Sequence, residues 1–178
     1  MALSVASAPV LPEVKIIAPR VFTDDRGFFL ESFSEDIYRE AGIPGPFVQD
    51  NHSRSRRGVL RGLHFQSPHP QGKLVYVVRG VVWDVAVDIR PGSPTFGRWV
   101  GLELSDASPR QIFIPAGFAH GFCVLSESVD FVYKCTAYYS PADEHTLLWS
   151  DPDLAIDWKA TDPIVSDKDR RGVRLRDI

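Results

Sequence analysis

An all-β domain, a sandwich or jelly-roll barrel, is the architecture this sequence predicts. Short segments rich in Val, Ile, Phe, Tyr and Trp recur between clusters of Gly, Pro, Asp and Ser, about ten of them in all. In VVWDVAVDIR (81–90) the alternation sets Trp83, Val85, Val87 and Ile89 on one face and Asp84, Ala86 and Asp88 on the other, the period of a half-buried strand. A length of 178 residues with 44% hydrophobic content suits one globular domain, 1–178, and no linker, repeat or low-complexity tract divides it.

SEDIYREAGIPG (34–45) is the one helical segment ahead of the tail. Ser34 can cap it, Glu35 and Asp36 suit the positive end of its dipole, and Gly42 with Pro44 stops it, so it is short and peripheral. VLRGLHFQ (59–66) is strand-forming but carries two polar groups, Arg61 and His64, where an ordinary buried strand would carry more valine. KLVYVVRG (73–80), VVWDVAVDIR, RWVGLELS (98–105), RQIFIPAG (110–117), HGFCVLS (120–126) and VDFVYKCTAYY (129–139) read as strands, with PGSPTFG (91–97) as a turn-rich connection. The polar tail, residues 159–178, is expected to lie against the barrel as a loop or short helix.

A net charge of −3, a pI near 5.9 and no block of like charge leave no footprint for nucleic acid or an anionic membrane surface. The first residues, MALSVASAPVLP, lack a basic n-region, and no segment is apolar for long enough to span a bilayer, so the expectation is a cytoplasmic protein. Cys123 and Cys135 sit in apolar runs without C-x-x-C spacing and read as buried free thiols.

Jelly-roll barrels include the cupins, and part of this chain resembles them. Their metal-binding members carry an H-x-H, Glu, Gly motif and then P-x-G-x-x-H; this chain has P-A-G-F-A-H at 115–120 and L-H-F-Q followed by Lys73 and Gly80. Gln66 stands where the metal cupins have a second histidine, and Lys73 where they have the glutamate. That substitution leaves only His64 and His120 as ligands and puts a cation in the site, so neither metal nor cofactor is expected.

A second resemblance covers nearly the whole chain. D-x-R-G-F-F (24–29), F-V-Q-D-N-H-S (47–53), V-L-R-G-L-H-F-Q (59–66), Q-G-K-L-V (71–75), D-V-A-V-D-I-R (84–90), S-P-T-F-G (93–97), P-A-G-F-A-H-G-F (115–122) and S-x-K-D (166–169) together resemble the dTDP-4-dehydrorhamnose 3,5-epimerases. Tyr76 departs from that pattern, since relatives often carry a basic residue there. The resemblance implies a cupin-like jelly roll acting without a cofactor on dTDP-4-keto-6-deoxy-D-glucose. It also implies a homodimer that exchanges N-terminal strands. An enzyme inverting only C3 or only C5 of the same nucleotide sugar is the alternative within the family.

The chemistry such a reaction needs can be matched to residues. A C4 ketone acidifies the protons at C3 and C5 because either carbanion delocalises as an enolate, so the protein must supply a base, an acid and a partner for the oxyanion. His64 suits the base, with a pKa of about 6.5 when unperturbed. By the resemblance, Asp169 orients and charges against it, Tyr133 is the acid on the opposite face, and Lys73 stabilises the enolate. Arg61 and Arg26 have the planar forks that grip a diphosphate. Tyr138 and Phe28 are expected to sandwich the thymine, Gln49 and Asn51 to add polar contacts, and Arg26, Phe28 and Glu31 to serve the neighbouring subunit's site. His120, with Asp84 as partner, either forms a second histidine–aspartate pair or braces the pocket. Glycine in VLRGLHFQ is expected to let the backbone approach the ligand.

Simpler readings exist for each residue. A histidine in a strand is commonly structural, Lys73 alone would be a surface lysine, Tyr133 would serve as a packing aromatic, and Arg26 beside Asp25 would make a surface ion pair. Tyr139 competes with Tyr138, and Phe29 with Phe28. Strict alternation puts Tyr133 and Tyr138 on opposite faces, so both serve one site only if a bulge or a strand end falls between them.

Overall fold

The period of each strand decides which residues look into the barrel and which look out. The computed structural model describes residues 3–178. Its strands in chain order are β1 (Leu3–Ser7), β2 (Lys15–Pro19), β3 (Val21–Asp24), β4 (Gly27–Leu30), β5 (Gln49–Arg56), β6 (Val59–Gln66), β7 (Lys73–Arg79), β8 (Val81–Asp88), β9 (Trp99–Ser105), β10 (Gln111–Ile114), β11 (Phe118–Val124), β12 (Ser128–Cys135), β13 (Glu144–Thr146) and β14 (Ile164–Val165). Helix α1 (Glu35–Glu40) precedes β5, and α2 (Asp167–Arg170) follows β14. One sheet runs β1-β2-β10-β7-β12-β5 and the other β13-β6-β11-β8-β9, with β14 added parallel to β6; β3 and β4 form a separate hairpin. The two sheets form the predicted jelly roll.

Between the sheets lies a core that includes Val75, Val82, Ala86, Ile112, Phe118, Phe122 and Phe131. Burying the valine, isoleucine and phenylalanine side chains among these stabilises by roughly 1.5–3 kcal/mol each. VVWDVAVDIR is where the structure corrects the sequence reading. It is buried on both faces, because Val85, Val87 and Ile89 pack outward against Leu147, Leu154, Trp158, Val165 and Leu175 from the chain beyond β12. The tail therefore covers one sheet, as predicted, and the Asp84 face looks inward. α1 covers the other sheet, with Tyr38 and Ile43 on Ile17, Leu74 and Phe113. Ser34 precedes α1 in extended backbone, but its side chain makes no capping hydrogen bond; the cap that does form is Ser166 at α2, whose hydroxyl accepts from the Asp169 amide.

β6 breaks alternation at one place. Opposite β11, His64 pairs with His120 but Arg61 pairs with Phe122, so three steps on β6 match two on β11. Directly opposed residues share a face, and Phe122 belongs to the inner core, so this β-bulge turns both Arg61 and His64 inward. Gly62 occupies the bulge at φ +124°, and a Cβ there would stand 2.6 Å from the Gly121 Cα. Its glycine serves close packing of two strands, which corrects the expectation that it admits a ligand.

Candidate active site

His64 owes its setting to the bulge. The ladder there is interrupted, and the Gly62 amide donates instead to Asp169 Oδ2 at 3.2 Å, while Asp169 Oδ1 lies 2.7 Å from His64 Nε2. Burial opposes ionisation of Asp169, yet the hydrogen bond and charge of His64, with the Gly62 amide, hold its carboxyl below the ordinary aspartate range. An ionised carboxylate only accepts, so Nε2 of His64 donates in this contact, and Nδ1 is the ring nitrogen not engaged by the aspartate.

His64 lines a cavity of about 270 Å³ with Lys73, Tyr133, Gln49 and Asn51. The histidine comes from one sheet, and the other four come from the facing sheet through β5, β7 and β12. Histidine and tyrosine therefore reach the cavity from different sheets. Burial lowers the pKa of Lys73 and raises that of Tyr133, and the ammonium lies 6.0 Å from the tyrosine ring centroid. Lys73 makes no salt bridge among the described residues, which leaves its charge for a ligand. Gln49 donates to Asn51 Oδ1 at 2.9 Å, and Asn51 donates to the Cys135 thiol at 3.6 Å. Both cysteines are buried and free, as predicted.

Arg61 stands at an adjoining opening with His64, Lys168 and Asp169. Its Nε donates to Ser55 Oγ at 3.0 Å, and the outer guanidinium nitrogens have no carboxylate partner among the described residues. His120 and Asp84 do form a pair, with Nε2 2.9 Å from Oδ2, inside the inner core, and the imidazole lies in a stacked arrangement 6.2 Å from the Phe131 ring. Burial lowers the pKa of His120.

Four candidates lie away from this cavity within the chain. Tyr138 comes after β12 has ended, is 71% exposed, and does not line the cavity, whereas Tyr139 does. β12 ends before Tyr138, so alternation no longer sets it opposite Tyr133, and Tyr139 is the one of the two tyrosines that lines the cavity. Arg26, Phe28 and Glu31 are exposed on or beside the β3–β4 hairpin, and Arg26 pairs with Asp24 rather than Asp25, with Nη2 2.6 Å from Oδ2. Phe28 is 70% exposed and Phe29 68%, so burial does not separate them.

Sequence reasoning missed Glu144 and Lys168. Glu144 lines the cavity, accepts from the Tyr139 hydroxyl at 2.9 Å and from Lys168 Nζ at 2.6 Å, and adjoins Gln66 in the β13–β6 ladder. Lys168 lies inside the S-x-K-D motif, which was a usable signal; Glu144 lies in a polar stretch with none. Among the described residues, no group of three or more His, Cys, Asp or Glu side chains is placed to hold a metal ion.

A jelly-roll barrel holding a histidine–aspartate dyad, a tyrosine and a lysine around one cavity defines an acid–base site. Residues 9–177 match the family model described as dTDP-4-dehydrorhamnose 3,5-epimerase, and the chain belongs to that family. It is 56% identical over 174 residues to the Pseudomonas aeruginosa protein of that name, covering 97% of this chain and 96% of the other. Among solved structures, the dTDP-6-deoxy-D-glucose-3,5-epimerase of Legionella pneumophila, in complex with dTDP-4-keto-L-rhamnose, superposes with a TM-score of 0.94 at 53% identity, covering 98% of this chain and 93% of that one. A 3′-monoepimerase of Streptomyces bikiniensis in complex with dTDP-quinovose is more distant, at 35% identity, a TM-score of 0.89, and coverage of 96% and 87%.

Proposed function

We propose that this chain is a 3,5-epimerase that converts dTDP-4-keto-6-deoxy-D-glucose to dTDP-4-keto-L-rhamnose by proton abstraction next to the C4 ketone. The single observation that carries the mechanism is His64 and Tyr133 lining one cavity from opposite sheets, with Lys73 beside them. His64 Nδ1 takes the C3 or C5 proton, and Asp169 stabilises the resulting imidazolium. Lys73 faces the developing enolate oxygen, and loss of one such group commonly costs about 3–4 kcal/mol. Tyr133 returns a proton from the other side, which inverts the centre. The ketone itself delocalises the charge, so the residues present supply each group the reaction needs.

Arg61 meets the diphosphate at the opening. Arg26, Phe28 and Glu31 fit a site completed by a second copy, because the hairpin carrying them projects its aromatic side chains into solvent. A homodimer sharing these segments, acting as one domain per chain in the cytoplasm, belongs to the same reading. No helix among the described residues is long and apolar enough to cross a membrane.

The test is the stereochemistry of the product. Purified protein incubated with dTDP-4-keto-6-deoxy-D-glucose should give, by proton coupling constants, a sugar inverted at both C3 and C5. A product inverted at one carbon would assign the chain to the mono-epimerases, and unchanged substrate would refute the proposal.

A further inference from the structure

After β12 ends at Cys135 the chain continues without a strand partner past the cavity, which Tyr139 lines, and its backbone groups need other hydrogen bonds. Three glutamines from different places supply them. Gln71 Nε2 donates to the Ala137 carbonyl at 2.7 Å. Gln66 Nε2 reaches the Tyr138 carbonyl at 3.4 Å, and its Oε1 accepts from the Ser140 amide at 3.0 Å. Gln49 Oε1 accepts from the Tyr139 amide at 2.8 Å. Four consecutive residues, 137 to 140, are thus each tied by one backbone group to a glutamine side chain. All three glutamines line the cavity, as does Tyr139, whose hydroxyl donates to Glu144. Glu144 in turn accepts from Lys168, the residue before Asp169 of the dyad.

We infer that Gln66 and Gln71, together with Gln49, are positioning residues that hold segment 137–140 as a fixed wall of the cavity and so set how tightly the nucleotide sugar is bound. The chemistry of the side chain fits that task. An amide donates and accepts at once, so one residue can take both a carbonyl and an N–H, as Gln66 does. It also adds no charge to a cavity whose lining already includes Glu144 and Lys73. Gln66 occupies the position at which metal cupins carry a ligand, and here its side chain is spent on the neighbouring backbone. The groups argued to do the chemistry, His64, Lys73 and Tyr133, make no hydrogen bond to this wall. Loosening it therefore acts on binding before it acts on proton transfer.

The inference rests on the epimerase reading, and steady-state kinetics with dTDP-4-keto-6-deoxy-D-glucose separates the two. An inactive wild-type protein would sink that reading and this inference with it. With active wild type, Gln66→Met and Gln71→Leu each remove the amide at similar volume. Each should raise KM about tenfold while kcat stays within about threefold, since wall contacts serve bound substrate and transition state alike. A purely structural role predicts the reverse, a smaller active fraction with KM unchanged. KM unchanged in both variants, or a loss in kcat larger than the rise in KM, would overturn the inference. Gln66 is buried and its variant risks misfolding; Gln71 is only half-buried with one hydrogen bond, and circular dichroism against wild type confirms its fold.

Discussion

Among the described residues four histidine–aspartate pairs form; His52–Asp130 and His69–Asp143 have exposed histidines, and the two that face into the barrel are of nearly equal length, 2.7 Å at His64–Asp169 and 2.9 Å at His120–Asp84. The histidines of these two are directly opposed on neighbouring strands. What separates them is access and the state of the carboxylate. The His64 side chain is 29% exposed and borders the cavity, and its aspartate also accepts from a backbone amide. The His120 side chain is 7% exposed in the core, and Oδ1 of its aspartate has no hydrogen-bond partner. The bulge accounts for one part of the difference, because it frees the Gly62 amide to hold Asp169. Identical residue types thus yield a dyad that borders the cavity in one place and a pair enclosed in the core in the other.

Substitution of the two histidines should give the widest contrast. His64→Ala is expected to lower kcat by about 10⁴-fold, the upper range for a general base, whereas His120→Gln lowers it less than about tenfold. Comparable losses in rate assays of the two would erase the distinction. Lys73→Met follows, with kcat down about 10²–10³-fold and little change in affinity for dTDP measured by calorimetry. Asp169→Asn comes next, at about 10–100-fold in kcat, because it keeps the shape but loses the charge that orients the imidazole.

Gly121→Ala probes the bulge, since its Cβ would stand 2.7 Å from the Arg61 carbonyl oxygen. Crowding of that kind costs about 1–3 kcal/mol, read as a lower denaturant midpoint, and it should reduce kcat as His64 shifts. The smallest effect separates the pairs by pH. Burial holds His120 below its ordinary pKa, so the unfolded chain binds its proton first as pH falls below about 6.5 and stability drops from there, by at most about 1.4 kcal/mol per pH unit. His120→Gln should flatten that decline in thermal unfolding between pH 7 and 5. The Asp169 contribution has the same sign but lies lower, present above the ordinary carboxylate pKa and lost as pH falls through the depressed folded value.

Much of this was legible in the residues. Period-two patterning gave the strands, and ordered motifs gave His64, Asp169, Lys73, Tyr133 and the Asp84 partner of His120. The failures share a cause, which is information held in the pairing of distant strands. VVWDVAVDIR read as half-buried because its second cover comes from a tail more than sixty residues away. Arg61 and His64 share a face only through a bulge defined against β11, and Glu144 meets Lys168 across 24 residues without any local pattern. Nor does the sequence mark where β12 stops, which is what lets Tyr139 line the cavity.

The most direct test is carried out in deuterated water. Wild-type protein with dTDP-4-keto-6-deoxy-D-glucose should introduce deuterium at both C3 and C5, and folded His64→Ala protein at neither. Label appearing in the variant at the wild-type rate would show that another group removes the protons, and the account of the exposed dyad would fail.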